Sequence, residues 1–235
     1  MENDHGAMAV LKSVVLYAQY PKKAFHNDRR AWSHMTAKRE MRRLGMYEMY
    51  KALHCHSYPP DWPDLLNIYT TTRRLKPKVV FEFGSGCSTL SFARALADND
   101  VDGHGKGIVY SIETSALFKE RTERLLPADL KPYVEMIYSD IELGEMAGQK
   151  VMWHRTIPDL SPNLVYLDGP DYFDFSSDIE TQAEGVMLEP KAANDYAILI
   201  DGRWFTQQFT RKNLKRHYKV TENTVDMWML LEALH

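Results

Sequence analysis

Cysteine is scarce in this chain: Cys55 and Cys87 are the only two among 235 residues, and they stand far apart. That argues against a disulfide framework or a cysteine-pair metal site and fits a reducing compartment. No apolar run reaches the length of a membrane-spanning helix. Internal repeats and low-complexity tracts are absent. An excess of one charge is lacking too: the formal net charge is −3, which gives no global case for nucleic acid. Glu2 and Asp4 stand where a secretory leader carries positive charge, and no apolar core follows, so the expectation is a cytoplasmic chain.

What is present is an ordinary globular composition, with 44% hydrophobic and 11% aromatic residues, enough for one α/β domain with an extension. Charge is uneven along it. Residues 1–43 hold nine Lys/Arg against four Asp/Glu, a net of +5, which leaves −8 for the remainder. Arg39, Arg42 and Arg43 share a helical face, which reads as a solvated surface or as a patch for an anionic acceptor. No RNA-binding module accompanies it, so nucleic acid is not the expected partner.

Periodicity places helices over 8–18, 36–53 and from Asp61 to Leu75, with Asp61 as cap, Pro63 in the first turn and Lys76-Pro77 as the stop. Residues 1–60 read as a helical extension, a cover or a surface for a second copy, since Trp32, Tyr47 and Tyr50 lie among methionines. From Lys78 the rhythm changes. Strand-like runs at 79–83, 108–112, 134–137, 164–167 and 197–200 alternate with helical stretches from about 88, at 115–125, 179–188 and 206–216. Such alternation implies a largely parallel sheet covered on both faces. The last two runs, 218–221 and 227–231, have no helix between them and should pair as an antiparallel hairpin. That makes seven strands.

The chemistry-bearing residues fall at the strand ends. Val79–Phe83 runs into Gly84-Ser85-Gly86-Cys87-Ser88-Thr89, a strand, a tight turn and a helix start. Glycines there allow backbone angles and a close ligand approach that side chains would block. Glu113 ends the second run, where a carboxylate can accept from a ribose diol. Ser139-Asp140 end the third, Asp168-Gly169-Pro170 the fourth and Asp201-Gly202 the fifth.

This series resembles the class I S-adenosylmethionine-dependent methyltransferases over roughly residues 61–235, and Tyr166–Pro170 also looks like a segment of their small-molecule and sugar-type members. The resemblance implies a Rossmann-like fold with a terminal antiparallel hairpin. It further implies that Glu82, Gly84, Ser85, Gly86, Ser88 and Thr89 surround the methionine end of S-adenosylmethionine, with Glu82 toward the ammonium. Glu113, with Thr114 beside it, would hold the ribose; Ser139 and Asp140 would border the adenine; Asp168 would face the methyl group or the acceptor. The implied reaction is methyl transfer to a small molecule, oxygen slightly ahead of nitrogen as nucleophile. Two features depart from the family: Ser88 replaces a third glycine, and Glu113 lies farther from the glycines than usual.

Alternatives remain open on the residues alone. A non-catalytic binder of the same cofactor would share every cofactor residue. An NAD-dependent oxidoreductase would use a similar first turn but wants a glycine where Thr89 stands. Asp168 and Asp201 suit two carboxylate positions of a magnesium-dependent site, yet Gly202 occupies the expected third, so magnesium is the lesser expectation. His154 is a candidate base, because imidazole titrates near neutral pH, or else a structural histidine. Asp171-Tyr172-Phe173 would line the acceptor pocket or pack.

Overall fold

The computed structural model describes residues 21–54, 61–170, 179 and 181–234. The expected helix over 8–18, the break at 57–60 and Asp171–Phe173 lie outside them. Three helices come first: α1 Pro21–Arg43, α2 Tyr47–His54 and α3 Trp62–Leu75. Then follow β1 Val79–Phe83, α4 Cys87–Asn99, β2 Ile108–Glu113, α5 Ala116–Leu125, β3 Val134–Tyr138, β4 Ile141–Met146 and β5 Gln149–His154. The chain continues through β6 Leu164–Leu167, α6 Glu184–Met187, β7 Ala197–Asp201, α7 Trp204–Asn213, β8 Tyr218–Asn223 and β9 Trp228–Ala233. None of the described helices is long and apolar enough to cross a membrane.

The main sheet has seven strands in the order β3-β2-β1-β6-β7-β9-β8. β9 alone runs against its neighbours, pairing antiparallel with β7 and β8 as the terminal hairpin pattern requires. The near-continuous apolar runs of β1, β6 and β7 fit strands covered on both faces. Period-two alternation sorts their side chains. Phe81, Phe83, Val165, Leu167, Ile198 and Ile200 build one core layer. Val80, Leu164, Tyr166 and Leu199 build the other, against Ile68 of α3 and Phe92 and Leu96 of α4. The chain leaves β1 for β2 on one side and finds β6 on the other, so the strand order reverses at β1. Open α/β sheets bind ligands at such a point, beyond the strands' carboxyl ends.

The helical extension is part of the core. Met41, Met46 and Tyr50 are wholly buried with Leu65 and Tyr69 of α3 and Leu90 of α4, and the Tyr50 hydroxyl pairs with Ser91. Pro63 stands in the first turn of α3, and Lys76, in the left-handed region at φ 53°, ends it. Asp61 occupies the cap position without a side-chain capping bond, its carboxylate accepting from Arg30 at 3.0 Å instead.

Four differences from the sequence expectation have local causes. The helix expected over 36–53 breaks at Gly45, φ 71°. The segment 98–107 is not all loop: α4 runs to Asn99 and a π turn follows over Asp100–His104, closing where Gly103 takes φ 80°. The helix expected at 179–188 shrinks to Glu184–Met187 and a 3-10 turn carrying Pro190. Finally, β4 and β5 form a second, two-stranded sheet that the strand pattern did not indicate. Its strands are partly exposed and mix polar with apolar residues, and its turn is Ala147-Gly148, both at positive φ.

Where β1 and β6 end, their backbones nearly touch. Gly169 N–H donates to Phe83 O at 2.6 Å, and a Cβ on Gly169 would lie 2.6 Å from Gly84 Cα. Gly169→Ala must therefore push two backbones apart. It should cost roughly 1–3 kcal/mol, read as a lower urea midpoint at unchanged slope; an unchanged midpoint would show that the two loops are not held together.

Candidate functional site

Glu82 lies within β1, yet its carboxylate belongs to the loop that follows. It is fully buried, and Thr89 Oγ1 donates to its Oε2 at 2.7 Å. The same Thr89 oxygen accepts from Gly86 N–H at 3.0 Å, so the start of α4 is fastened down onto the acid. Among the described residues Glu82 Oε1 has no hydrogen-bond partner. Burial pushes the carboxyl up from 4.5 to about 7, with Asp168 adding to the rise and the Ser88, Ser111 and Thr89 hydroxyls opposing it. A buried acid with a spare oxygen and no cation beside it is a receptor for positive charge. Above it Gly84 and Gly86 take φ 101° and 143°, and Gly86 has open space where a Cβ would project. Ser88 is half-buried in the first turn of α4.

Glu113 closes the loop from the β2 side. Its Oε2 accepts from Ser85 N–H at 2.9 Å and Ser85 Oγ at 2.6 Å, and its Oε1 from Ser115 N–H at 2.8 Å. The carboxylate thus clamps the glycine turn to the start of α5. A diol arriving there would take over the lone pair that Ser85 Oγ uses. Thr114 is half-buried beside it.

Ser139 is inside the protein. Its N–H donates to Glu113 O at 3.0 Å, and its Oγ accepts from Thr156 N–H at 2.8 Å. Asp140 is exposed at the end of β3 and accepts from Tyr138 OH at 2.8 Å. Tyr138 itself is 46% exposed, an aromatic face that the sequence reading passed over.

Asp168 is exposed past the end of β6. Its N–H donates to Phe83 O at 3.3 Å, and its carbonyl accepts from Arg203. Nearby, Asp201 at the end of β7 meets Asp64 from the first turn of α3. Burial first, then Asp201, Asp61, Asp168 and Asp226, push Asp64 up to about 10. Asp201 rises to about 8, through burial and then Asp168 and Asp61, with Arg203 and the Tyr166 hydroxyl opposing. Asp64 was not foreseen, because in Asp61-Trp62-Pro63-Asp64 an acid reads as ordinary first-turn chemistry. Among the described residues, no three His, Cys, Asp or Glu side chains are arranged to hold a metal.

His154 ends β5 almost fully buried. Its Nδ1 lies 2.7 Å from Glu184 Oε1, and its ring packs 5.0 Å from that of Phe83. It is therefore away from solvent, in a buried pair with a fully buried glutamate. The basic face of α1 is partly spent on the surface: Arg43 pairs with Glu40 at 2.6 Å and Arg42 stacks 4.3 Å over the Tyr47 ring.

No protein-family model matches the chain, and no curated protein matches it. Solved structures do. The SAH-bound Podospora anserina methyltransferase PaMTH1 is 13% identical, with 80% of this chain and 87% of that one covered at a TM-score of 0.52. A methyltransferase from Geobacter sulfurreducens is 17% identical over 73% of this chain and 78% of its own, at 0.48. The SAM-bound O-methyltransferase TomG from Streptomyces achromogenes is 14% identical over 86% and 90%, also at 0.48. The first of these shows a shared fold: a seven-stranded α/β sheet of the Rossmann-like kind.

Proposed function

We propose that the chain is an S-adenosylmethionine-dependent methyltransferase acting on a small-molecule acceptor, with oxygen as the nucleophile. The observation that carries this reading is Glu82: a fully buried carboxyl with an unpartnered oxygen, roofed by a glycine turn at the point where the strand order reverses. The shared fold with a methyltransferase crystallised with SAH supports it. The residues present fit the cofactor's ends. Glu82 Oε1 suits an ammonium, the α4 N-terminus suits a carboxylate, and Glu113 suits a diol. When bound, the cofactor would supply an electrophilic methyl group.

The chain's own part is placement. Methyl transfer is an in-line displacement, so most of the acceleration comes from holding the nucleophile on axis. Asp168 is the exposed carboxylate at the end of β6, and we assign it the hydroxyl proton of the acceptor. Glu113 clamps the glycine turn to the start of α5 before any ligand arrives.

SAH at a hundred times its dissociation constant should raise the unfolding midpoint by roughly 5–10 °C, with NAD giving no shift. Glu113→Gln should weaken SAH binding about tenfold or more. A shift with NAD alone would replace the cofactor assignment, and SAH binding without methyl transfer to any acceptor would favour a non-catalytic binder.

The raised Glu82 carboxyl also gives a pH signature. Between about 4.5 and 7 the folded protein holds a proton there that the unfolded chain has released, so stability falls as pH rises through that window. The loss levels off above the folded value, at about 3 kcal/mol in total. A bound ammonium favours the ionised carboxylate, so SAH affinity should instead rise from pH 6 to pH 8. Glu82→Gln should flatten its own share of the stability slope, bind SAH more weakly and lose that rise. An identical profile in the variant would remove Glu82 from the ammonium role.

A further inference from the structure

A second unpartnered carboxylate oxygen lies away from the glycine turn, in the β8–β9 connection. Asp226 is 8% exposed. Its Oδ2 accepts from Ser33 Oγ of α1 at 2.9 Å and from Asn223 Nδ2 at 3.0 Å. Asn223 Oδ1 in turn accepts from the backbone N–H groups of Val225 and Asp226 at 2.9 and 3.0 Å. The turn is thereby fixed, with one carboxylate oxygen spent. The other, Oδ1, is buried and has no hydrogen-bond partner among the described residues. An orphaned acceptor of this kind is costly unless a ligand donates to it.

The position of Asp226 gives that oxygen a use. Asp226 stands in the wall between two adjoining grooves of about 520 and 410 Å³, both bounded by Ser33, Thr36 and Asn223. In the second groove Pro63, Leu66 and Trp228 supply an apolar side. Asn67 and Trp228 then continue into a narrow cleft beside Asp64, Tyr166 and Asp201. Asp64 Oδ1 is also buried without a partner. The two grooves form one trough from the hairpin turn to Trp228, and the cleft at its inner end, which is closed even to water, points on toward Asp201.

Carboxyl groups line most of its length. Asp61, Asp168, Asp201 and Asp226 all act on Asp64 as like charges. Asp61 is answered by Arg30 at 3.0 Å and approached by His34 at 3.5 Å. Arg203 bears on Asp201, and Asp28 and Arg29 offset each other at the outer groove. Glu40, on the second groove, is paired with Arg43. The inner carboxyls are instead held up to about 10 and about 8 by burial and mutual repulsion, which outweigh Arg203 at Asp201. Carboxyls raised this far hold their protons at pH 7, and a protonated amine brought beside them favours their ionisation, whereas a carboxylate or phosphate would raise them further.

We propose that this trough is the acceptor site and that it takes a small molecule bearing a protonated amine, which donates to Asp226 Oδ1 while the carrier lies along Trp228 toward Asp201 and Asp168. A protonated amine has no lone pair, so it is the handle, and the nucleophile is a hydroxyl elsewhere on the same molecule. Naming the trough the acceptor's rests on the methyl-transfer reading; its preference for ammonium is tested independently of it.

The test is calorimetry on the SAH-saturated protein with matched amines, alcohols and carboxylates, each set on one carbon skeleton, from propyl through phenylethyl to indolylethyl. On at least one skeleton the amine should bind about tenfold tighter than the alcohol, and the carboxylate should bind weakest. Asp226→Asn should erase that preference, at a cost of about thirtyfold in amine affinity, while SAH affinity stays. Ser33→Ala keeps the carboxylate and should keep the preference, which guards against a folding defect in the first variant. Amines no tighter than alcohols on every skeleton would overturn the proposal. So would a preference that survives Asp226→Asn, or magnesium or calcium binding in the trough that the amines cannot displace. Failure of SAH to bind, with amine preference intact, would instead overturn the methyl-transfer reading and leave the trough an amine site.

Discussion

The contact between Gly84 and Gly169 is the constraint on which the carboxyl edge depends. β1 and β6 are neighbours at the reversal of strand order, and each ends in a glycine because a Cβ on either would meet the other's backbone. Their approach lets Phe83 O accept from both Asp168 and Gly169 N–H. That fixes where Asp168 leaves the sheet and, through Arg203 on its carbonyl, where the turn after β7 sits. On the β1 side it sets the glycine turn over Glu82. A few ångströms of backbone separation thus place an acid, a helix start and a neighbouring strand end around one space.

That space is made by withholding counter-charge. Glu82, Asp64 and Asp201 are all raised by burial, and among the described residues the one basic group that opposes the rise is Arg203, at Asp201. Elsewhere the same chain pairs its charges freely: Arg30 with Asp61, Arg73 with Asp102, Arg74 with Glu232. Leaving carboxyls buried and unmatched costs stability, and a fold keeps such groups where ligands supply the missing partner. The contrast between matched surface and unmatched edge is a physical reason to read the edge as a site.

Much of this was legible in the sequence, because each strand is a short apolar run with a polar or acidic residue at its end, as Glu82 is in Val79–Phe83 and Asp201 is after Ala197–Ile200. All seven strands of the main sheet and the terminal hairpin follow from that pattern. The turn itself was legible too, since glycines between a strand and a helix start mark a tight turn, and so was the place of Glu113 at the end of β2. The β4–β5 pair was not: a two-stranded sheet with half its residues exposed carries little apolar alternation, and Ala147-Gly148 is a weak turn signal. Asp64 and Asp226 were hidden for another reason. Each reads locally as helix-start or turn chemistry, and only tertiary contact between α1, α3 and the hairpin brings them onto one trough. Ser139 shows the converse, a residue at the right strand end that the fold consumes internally.

The two unmatched ends of the edge divide the labour by their surroundings. Glu82 is enclosed by hydroxyls and backbone from β1, β2 and α4, the parts of the fold that cannot move without breaking the sheet. Asp226 and Asp64 are enclosed by α1, α3 and a turn, which pack onto the sheet from outside and can differ in sequence without changing it. On the methyl-transfer reading proposed above, a group required by every turnover belongs in the first environment, and a group that selects one acceptor among many belongs in the second. The helical extension is then more than a cover: with the hairpin turn it forms the trough that bounds what the rigid edge can reach, and α1 supplies the Ser33 hydroxyl that leaves Asp226 one free oxygen.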